Sequence, residues 1–435
     1  MSAAGRTRVV ILGGGFAGVY TALHLQKLID PGRMELTLVN RDNFFLFTPM
    51  LHEVAASDVD VTHIVSPVRK LVRGGTLVTG EVQAIDLARR LVRVAPAGGN
   101  HTHELAYDHL VLALGSVTNF FNLPGVEHRA ITIKSLSDAT VLRSRLIGLL
   151  EEADFEASEG HRRPLTVLVA GGGFAGVETM GAVNDFIRES LRFYPHLRAG
   201  DLRMVLVHPG DLILPELGPA LGSYAGRALA RRGVEILTRT SVTAADDRGV
   251  HLSDGSTVPT RVFVWAAGTA PNPLLAGLPC AKERGRVVAN GSLAVPEYPG
   301  VWALGDGACI RDPNGGNPYP PTAQHALRQG KVLAENIAAT IEGRPQRTFV
   351  FKTLGQLAAI GRRTGVASIL GFKFQGFVAW FLWRAIYLSK LPRFERKVRV
   401  ALDWALDLVV TKDLVQFHAP PAPALSVGEI EPAEA

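Results

Sequence analysis

The chain has 435 residues, of which 47% are apolar and 20% are charged, so it can form two or three domains with a sizeable core and is not disordered. Its two cysteines, Cys280 and Cys309, lack C-x-x-C spacing, which argues against a disulfide framework and against structural zinc. The net charge is +6, but residues 345–435 hold 12 Lys and Arg against 7 Asp and Glu, so nearly all of the excess lies in the last fifth of the chain. A near-neutral body with a basic, aromatic tail argues against nucleic acid and favours an anionic surface as the partner of the tail.

Two segments of the chain repeat one another, residues 9–19 and residues 167–177. Each is a continuous apolar run followed by glycines and a helix-compatible stretch, as a buried parallel strand and its following helix require. The glycines have G-x-G-x-x-G spacing in both segments: Gly13, Gly15 and Gly18, then Gly171, Gly173 and Gly176. In such a turn the second glycine lets the backbone approach a pyrophosphate, which the helix N-terminus faces. Two motifs in this context predict an α/β fold with two Rossmann-like nucleotide-binding units.

The strand after each motif ends where a dinucleotide site usually places Asp or Glu against the ribose hydroxyls. Here these strands, residues 36–40 and 204–208, end in Asn40 and His208. An asparagine amide can still bond a ribose hydroxyl. No arginine cluster follows His208 to bind a 2′-phosphate, so NADH is favoured over NADPH.

Short alternating strands follow in both halves. Residues 76–85, 91–95 and 104–114 predict a β-meander around the turn at residues 98–100, and residues 110–115 and 262–268 predict strands that return to each sheet. His101 and His103 beside the turn have no Cys or carboxylate partners, so we expect a solvated hairpin and no metal site. Two nucleotides held near one another suit hydride transfer from a nicotinamide to a flavin.

A third strand, residues 301–306, closes on Gly305 and Asp306. It resembles the strand that returns to the FAD domain in flavoproteins with two dinucleotide-binding domains, which implies that Asp306 contacts FAD. Capping of the following helix is a compatible second role for this carboxylate.

Residues 41–55 contain no cysteine, which excludes the thiol chemistry of the disulfide reductases and of the peroxidase-type relatives in this segment. The run from Arg41 to Leu51 resembles the R-x-N-F-x-L-F-x-P-L-L segment of the type II NADH:quinone oxidoreductases. Residues 320–330 resemble the family's A-Q-x-A-x-Q stretch, with Ala323 and Gln324 in place but Arg328 at the final Gln. Residues 351–361 and 376–383 resemble its C-terminal region, so the likeness covers nearly the whole chain.

The resemblance implies a non-proton-pumping enzyme that passes a hydride from NADH to FAD and two electrons to a quinone, bound peripherally at the cytoplasmic face of the inner membrane. Sequence patterns leave open another NAD(P)H-dependent FAD reductase, of ferredoxin or sulfide:quinone type, or a redox-sensing flavoprotein. We expect the FAD domain at residues 1–125 and 295–344, the NADH domain at 126–294 and a membrane-associating region at 345–435. FAD would be held by Gly13, Gly14, Gly15, Gly18, Asn40 and Asp306, NADH by Gly171, Gly173 and Gly176, and the flavin ring and quinone would lie by Ala323 and Gln324. The further cofactor-binding residues would be Phe16, Ala17, Arg41, Thr48, Val82, Glu178 and Gly268.

Glu178 directly follows the second glycine motif. A carboxylate near a helix start is stabilised by the helix dipole, by about 0.3–1 kcal/mol, which alone explains an acid here. In the family that the chain resembles, this glutamate lies between nicotinamide and quinone, so we expect a catalytic role, with Gln324, in organising the protons of quinone reduction.

The tail has no run of about 18 apolar residues, so its sequence predicts amphipathic helices that lie in the membrane plane and no helix that spans the membrane. A helix after Pro392 would align Phe394, Val398, Ala401, Ala405 and Leu408 on one stripe. Trp380, Trp383, Trp404 and Tyr387 would suit the lipid headgroup region. The alternatives are a helical tail packed on the body and a homodimer interface.

Overall fold

The structure is a computed structural model that describes residues 5–96 and 101–416. Its helices are α1 (Phe16–Leu28), α2 (Leu51–Ala55), α3 (Val68–Leu71), α4 (Val126–Arg129), α5 (Leu136–Ser158), α6 (Phe174–Ser190), α7 (Gly218–Arg231), α8 (Ala323–Ile341), α9 (Gly376–Lys390) and α10 (Phe394–Leu406).

The strands in the first part of the chain are β1 (Thr7–Leu12), β2 (Met34–Asn40), β3 (Phe44–Leu46), β4 (Val65–Pro67), β5 (Thr76–Asp86), β6 (Leu91–Pro96), β7 (His103–Ala106), β8 (His109–Leu112), β9 (Ser116–Thr118), β10 (Ile131–Thr132), β11 (Leu165–Ala170), β12 (Leu202–Val207) and β13 (Val234–Leu237). They are followed by β14 (Val242–Asp246), β15 (Gly249–Leu252), β16 (Thr257–Val258), β17 (Val262–Trp265), β18 (Thr269–Pro271), β19 (Lys282–Glu283), β20 (Arg286–Ala289), β21 (Val301–Ala303), β22 (Ala308–Ile310), β23 (Gly355–Ala359), β24 (Gly365–Ile369) and β25 (Phe372–Gln375).

The first nucleotide unit is built on a seven-stranded sheet in the order β21-β8-β1-β2-β5-β6-β7. Its first five strands are parallel, and β6 and β7 continue it as antiparallel strands. The central strand β1 is buried over its last four residues, as its unbroken apolar run requires of a strand covered on both faces. Strand β21 reaches this sheet from almost 200 residues further along the chain, in parallel with β8.

The second unit has a parallel five-stranded sheet in the order β10-β17-β11-β12-β13 and a separate antiparallel meander of β14, β15 and β16. A two-stranded antiparallel ribbon joins the units, with Ser116–Thr118 of β9 paired to Thr269–Pro271 of β18. The chain therefore crosses between the two units at the carboxyl ends of their central sheets, where nucleotides bind in open α/β folds.

One predicted strand was wrong. Residues 104–114 form two strands, β7 and β8, because β7 ends the sheet as an antiparallel edge whereas β8 lies between β1 and β21. The turn between them is fixed by Asp108, whose carboxylate accepts hydrogen bonds from the Arg8 main-chain N–H at 2.8 Å and from its guanidinium at 3.0 Å. The predicted turn at residues 98–100 lies outside the described residues.

The C-terminal region consists of the antiparallel sheet β23-β24-β25 and the helices α9 and α10. Helix α10 begins at Phe394, directly after the predicted break at Pro392, and the predicted stripe of Phe394, Val398, Ala401, Ala405 and Leu408 is exposed. No helix in residues 5–96 and 101–416 is long and apolar enough to cross a membrane.

The prediction that the tail's Trp and Tyr side chains lie at lipid headgroups was wrong. Trp380, Trp383 and Trp404 are at most 8% exposed, and Tyr387 is partly buried. The indole of Trp383 donates to Glu178 Oε1 at 2.8 Å, and that of Trp404 donates to Glu53 Oε2 at 3.0 Å. The indole N–H groups therefore point inwards because buried carboxyl groups there supply their acceptors.

We expect Trp404→Phe to lower the free energy of unfolding by about 1–3 kcal/mol more than Trp380→Phe, because it leaves Glu53 without its indole donor. Both substitutions remove the same ring volume from buried positions beside Arg384. The Trp380 indole N–H has no hydrogen bond within the described residues, which makes it the matched control. Urea denaturation of the two variants measures the difference, and equal losses would show that the hydrogen bond to Glu53 contributes nothing.

Candidate active site

The first glycine loop leaves an open cradle at the start of α1. Gly13 has φ +109°, and a Cβ there would lie 2.2 Å from the Ala113 carbonyl oxygen; a Cβ on Gly18 would lie 1.9 Å from the Gly13 carbonyl oxygen. A Cβ on Gly15, by contrast, would meet nothing within 4 Å. Gly15 is also the N-cap of α1 and offers no side-chain acceptor to its first N–H groups. The loop thus presents free N–H donors to open space, which fits a pyrophosphate.

The second glycine loop has the same design. Gly171 has φ +119° and closely approaches the Ala266 carbonyl, whereas a Cβ on Gly173, the N-cap of α6, would meet nothing within 4 Å. The residues present therefore fit two dinucleotides, one in each unit. Gly268, after β17, closes the crossing between the units: its carbonyl accepts the Asn119 N–H at 3.1 Å, and a Cβ there would strike the Phe121 ring.

Asn40 and His208 hold the two loops in the same way. Asn40 Oδ1 accepts the Gly14 N–H at 2.8 Å, and His208 Nδ1 accepts the Gly172 N–H at 3.2 Å. The Asn40 amide nitrogen also donates to the Asp42 carbonyl oxygen at 2.8 Å. The amide of Asn40 therefore stabilises the loop, and one lone pair of its oxygen and one N–H of its nitrogen remain for a ribose hydroxyl.

Asp306 lies in a short 3₁₀ turn, Gly305–Gly307, that follows β21. Its Oδ2 accepts the hydroxyl of Ser116 at 2.7 Å, and the Gly305 N–H donates to Gln329 Oε1 at 2.9 Å. Sequence patterns missed the roles of Ser116 and Gln329, because both side chains reach the turn from distant segments. The following helix, α8, does not use Asp306 as its cap, since its N-cap is Thr322.

Residues 41–55 connect the first glycine loop to the C-terminal helices. The Phe16 ring lies 5.1 Å from that of Phe45 and 5.7 Å from that of Phe47, and Phe47 lies 6.0 Å from Tyr387 of α9. Among the other predicted cofactor residues, Arg41 and Thr48 are exposed, Ala17 is buried in α1, and Val82 has its side chain in the core beside a bulge in β5. A cofactor contact by Val82 would therefore involve its main chain.

Glu178 lies in the second turn of α6 and is 8% exposed. Its Oε1 accepts the Ala359 N–H of β23 at 3.1 Å in addition to the Trp383 indole, and its Oε2 lies 4.0 Å from His52 Nδ1. Burial raises the pKa of this carboxyl to about 8, although the two hydrogen bonds oppose the shift. The carboxyl group of Glu178 is therefore mostly protonated at pH 7. Stabilisation of a charged carboxylate by the helix dipole thus does not explain the glutamate at this position.

His52 and Glu53 of α2 are functional candidates that the sequence did not single out. Burial lowers the pKa of His52 to about 3, so this imidazole stays neutral, and its Nε2 is buried without a partner in the described chain. Burial also raises the pKa of Glu53 to about 8, against the opposing charge of Arg384, whose guanidinium lies 3.9 Å away. In the sequence, the only sign of these two candidates was an adjacent His-Glu pair within an apolar helix.

Ala323 and Gln324 form the first turn of α8, and Gln324 contacts the start of β23. Its Nε2 donates to the Gly355 carbonyl oxygen at 3.2 Å, whereas Glu178 accepts from Ala359 at the other end of the same strand. Four residues of β-strand span about 13 Å, so Glu178 and Gln324 are not in contact. Arg328, which replaces the expected Gln, donates to the Gln324 carbonyl oxygen at 2.8 Å and lies over the Phe351 ring.

Two family profiles match the chain: that of the pyridine nucleotide-disulphide oxidoreductases over residues 7–330, and that of the NDH2 C-terminal domain over residues 354–413. A demethylphylloquinone reductase from Synechocystis is 33% identical and aligns over 92% of this chain and 96% of its own length. A probable NADH dehydrogenase from Dictyostelium discoideum and a type II NADH:quinone oxidoreductase from Mycobacterium tuberculosis are each 30% identical over 94% of this chain, covering 91% and 89% of their own lengths.

Among solved structures, NDH2 from Plasmodium falciparum in complex with NADH has the same fold, with a TM-score of 0.86 at 20% identity over 94% of this chain and all of that one. The sulfide:quinone oxidoreductase from Aquifex aeolicus aligns less closely, with a TM-score of 0.70 at 17% identity over 95% of this chain and 96% of that one. The chain belongs to the pyridine nucleotide-disulphide oxidoreductase family and, within it, to the type II NADH:quinone oxidoreductases.

Proposed function

We propose that the protein is an NADH:quinone oxidoreductase with FAD in the first nucleotide unit and NADH in the second. The observation that carries this function is the pair of open glycine cradles, one in each unit, together with a buried, protonated Glu178 that β23 of the C-terminal region contacts. FAD supplies the redox chemistry, since it accepts a hydride from NADH and passes two electrons on. The sulfide:quinone alternative is disfavoured because the Cys309 thiol is buried in β22 beside Glu283, and residues 41–55 hold no cysteine.

The proposed site residues follow from this arrangement. The main chain of Gly13–Gly15 and the N-terminus of α1 bind the FAD pyrophosphate, with Phe16, Ala17, Gly18, Asn40 and Asp306 completing the first site. Gly171, Gly173 and Gly176 do the same for NADH, and Gly268 keeps the crossing between units narrow. Ala323 and Gln324, at the N-terminus of α8, face the flavin and the quinone. Arg41, Thr48 and Val82 contribute exposed or main-chain groups to the first unit.

The proton requirement assigns a role to Glu178. A hydride from NADH carries two electrons and one proton, so reduction of a quinone to the quinol needs one further proton, which the site must supply. A carboxyl group with a pKa of about 8 holds that proton at pH 7 and releases it to an acceptor of developing negative charge. We propose Glu178 as this acid and assign Gln324, which is not in contact with it, to the flavin side.

The nicotinamide nucleotide is NADH in this proposal. Burial lowers the pKa of His208, so its ring is neutral and offers no positive charge to a 2′-phosphate. Arg239 lies beside the same loop, but it faces Asp211 at 3.9 Å, which offsets its charge. Steady-state kcat/KM with NADH compared with NADPH tests this preference.

Gly15→Val and Gly173→Val provide a matched test of the two cradles. Either side chain enters open space in the protein, so we expect both variants to fold, because a clash arises only with a bound pyrophosphate. Gly15→Val should be purified without its yellow flavin, whereas Gly173→Val should keep FAD and lose NADH reduction of that flavin. Absorbance at the flavin band and stopped-flow mixing with NADH measure the two effects. Full flavin in a folded Gly15→Val protein would disprove the first site.

Glu178→Gln should slow quinone reduction by about ten- to a hundredfold, since the amide cannot deliver a proton, while FAD reduction by NADH stays near the wild-type rate. The wild-type rate should also fall as pH rises through about 8, where the carboxyl loses its proton, and the variant should lack this fall. Glu159→Gln, at an exposed position after α5, is the control. Identical pH profiles in the variant and the wild type would remove Glu178 from the proton step.

We also propose that the C-terminal region binds anionic lipid at the cytoplasmic face of the inner membrane. Of the 20 large, exposed apolar side chains in the described residues, 15 lie between Val350 and Val415. They include Phe372, Phe377, Phe381 and Phe394, which are 58–80% exposed. Exposed Lys373, Lys390 and Arg399 accompany them. A homodimer through this face would bring like charges together, whereas anionic headgroups would neutralise them.

Truncation of the tail is a poor test, because it would also remove Trp383 and Trp404 from the core. A triple substitution of Phe377, Phe381 and Phe394 by Ser alters only exposed rings and should weaken binding to phosphatidylglycerol vesicles by at least ~100-fold, since each buried Phe contributes about 1.5–3 kcal/mol. Salt should weaken wild-type binding only in part, because apolar insertion is not screened.

Vesicle co-sedimentation measures this effect, with Phe155→Ser combined with Phe193→Ser as a control at exposed positions outside the tail. The triple variant should lose long-chain quinone reduction more than ferricyanide reduction. Unchanged vesicle binding with a change from dimer to monomer in analytical ultracentrifugation would instead identify this face as a homodimer interface.

A further inference from the structure

Lys134 occupies the segment that enters the second unit, between β10 and α5. The carboxylate of Asp138 fixes this segment, because it accepts the Thr132 hydroxyl at 2.5 Å, the Lys134 N–H at 2.8 Å and the Ser135 N–H at 3.0 Å. The main chain at Lys134 is therefore held on both sides, and the side chain extends in one direction, towards the first unit.

The ammonium of Lys134 ends a short hydrogen-bonded chain that crosses between the units. Lys134 Nζ donates to Ser116 Oγ at 2.9 Å, and the Ser116 hydroxyl donates to Asp306 Oδ2 at 2.7 Å. An ammonium can only donate, so Ser116 must accept from it and must turn its own proton towards Asp306. The chain of donors therefore runs from Lys134 through Ser116 to Asp306 Oδ2, which accepts.

Two groups in this chain remain available to a ligand. Within the described residues, Ser116 is the only hydrogen-bond acceptor of the Lys134 side-chain Nζ, although the ammonium has three N–H groups. Asp306 Oδ1 likewise has no hydrogen bond there. Burial lowers the pKa of Lys134, and the negative charge of Asp306 opposes that shift and so favours the charged ammonium.

We propose that Lys134 and Ser116 are positioning residues for FAD: they hold Asp306 with Oδ1 directed to the cofactor, and the lysine charge favours the reduced flavin. The inference rests on the proposed FAD site in the first unit and does not depend on the electron acceptor. A reduced flavin carries more negative charge than an oxidised one, so a nearby buried cation stabilises it. Because Lys134 belongs to the second unit and Asp306 to the first, FAD is held firmly only when the two units are docked.

The test compares Lys134→Met, Lys134→Arg and Ser116→Ala in the full chain, with Lys331→Met at an exposed position of α8 as the control. FAD release is followed by the gain of flavin fluorescence on dilution, and the flavin midpoint potential by spectroelectrochemistry. We expect Lys134→Met to weaken FAD binding by about tenfold, as the loss of a charge-assisted hydrogen bond predicts, and to lower the potential. Lys134→Arg should restore the potential, and Ser116→Ala should weaken FAD binding with little change in potential.

Wild-type FAD affinity and potential in Lys134→Met would overturn the proposal, even if that variant unfolds more readily. Loss of FAD without any shift of potential would overturn the electrostatic part. Neither measurement involves a quinone, so a failure of the quinone assignment would show separately, as absent quinone reduction by the wild-type protein.

Discussion

The arrangement of the two nucleotide units depends on two buried carboxyl groups that are capped by indoles from the C-terminal helices. Trp383 of α9 donates to Glu178 in the second unit, and Trp404 of α10 donates to Glu53 in the first. Arg384 lies between the Trp380 and Trp404 rings, with its guanidinium carbon 4.2 and 4.7 Å from their centroids, and so packs against both indoles. The C-terminal region thereby contacts both units through side chains of α9 and α10.

The inward bonds also determine what the same helices show to the outside. In α9, Trp380, Trp383 and Arg384 are buried, whereas Phe377, Val378 and Phe381 are exposed. Helix α10 divides in the same way, with Val400 and Trp404 buried and Phe394 and Leu402 exposed. One helix pair therefore supplies the indole donors of two buried carboxyl groups and also carries an exposed apolar surface.

The parts of the molecule that local backbone chemistry dictates could be predicted from the sequence. A turn at φ +109° with no room for a Cβ needs glycine, so the motifs at Gly13 and Gly171 predicted both glycine turns without tertiary information. The direction of Trp383 could not be predicted, because headgroups and a buried carboxyl suit an indole equally and only the fold places Glu178 beneath it. Lys134 and Gln329 were missed for the same reason: their partners, Ser116 and Gly305, lie 18 and 24 residues away in sequence.

The raised pKa values of Glu178 and Glu53 determine how folding stability changes with pH. Between the ordinary carboxyl pKa of 4.5 and about 8, the unfolded chain loses both protons while the folded chain keeps them. Folding stability therefore falls as pH rises through that window, the reverse of a salt-bridged carboxylate. A deprotonated Glu178 would face a neutral His52, Glu53 and the two N–H donors to its Oε1, and no Lys or Arg of the described residues forms an ion pair with it. Its anionic state is thus poorly stabilised, so the protonated carboxyl is favoured well above the ordinary carboxyl pKa.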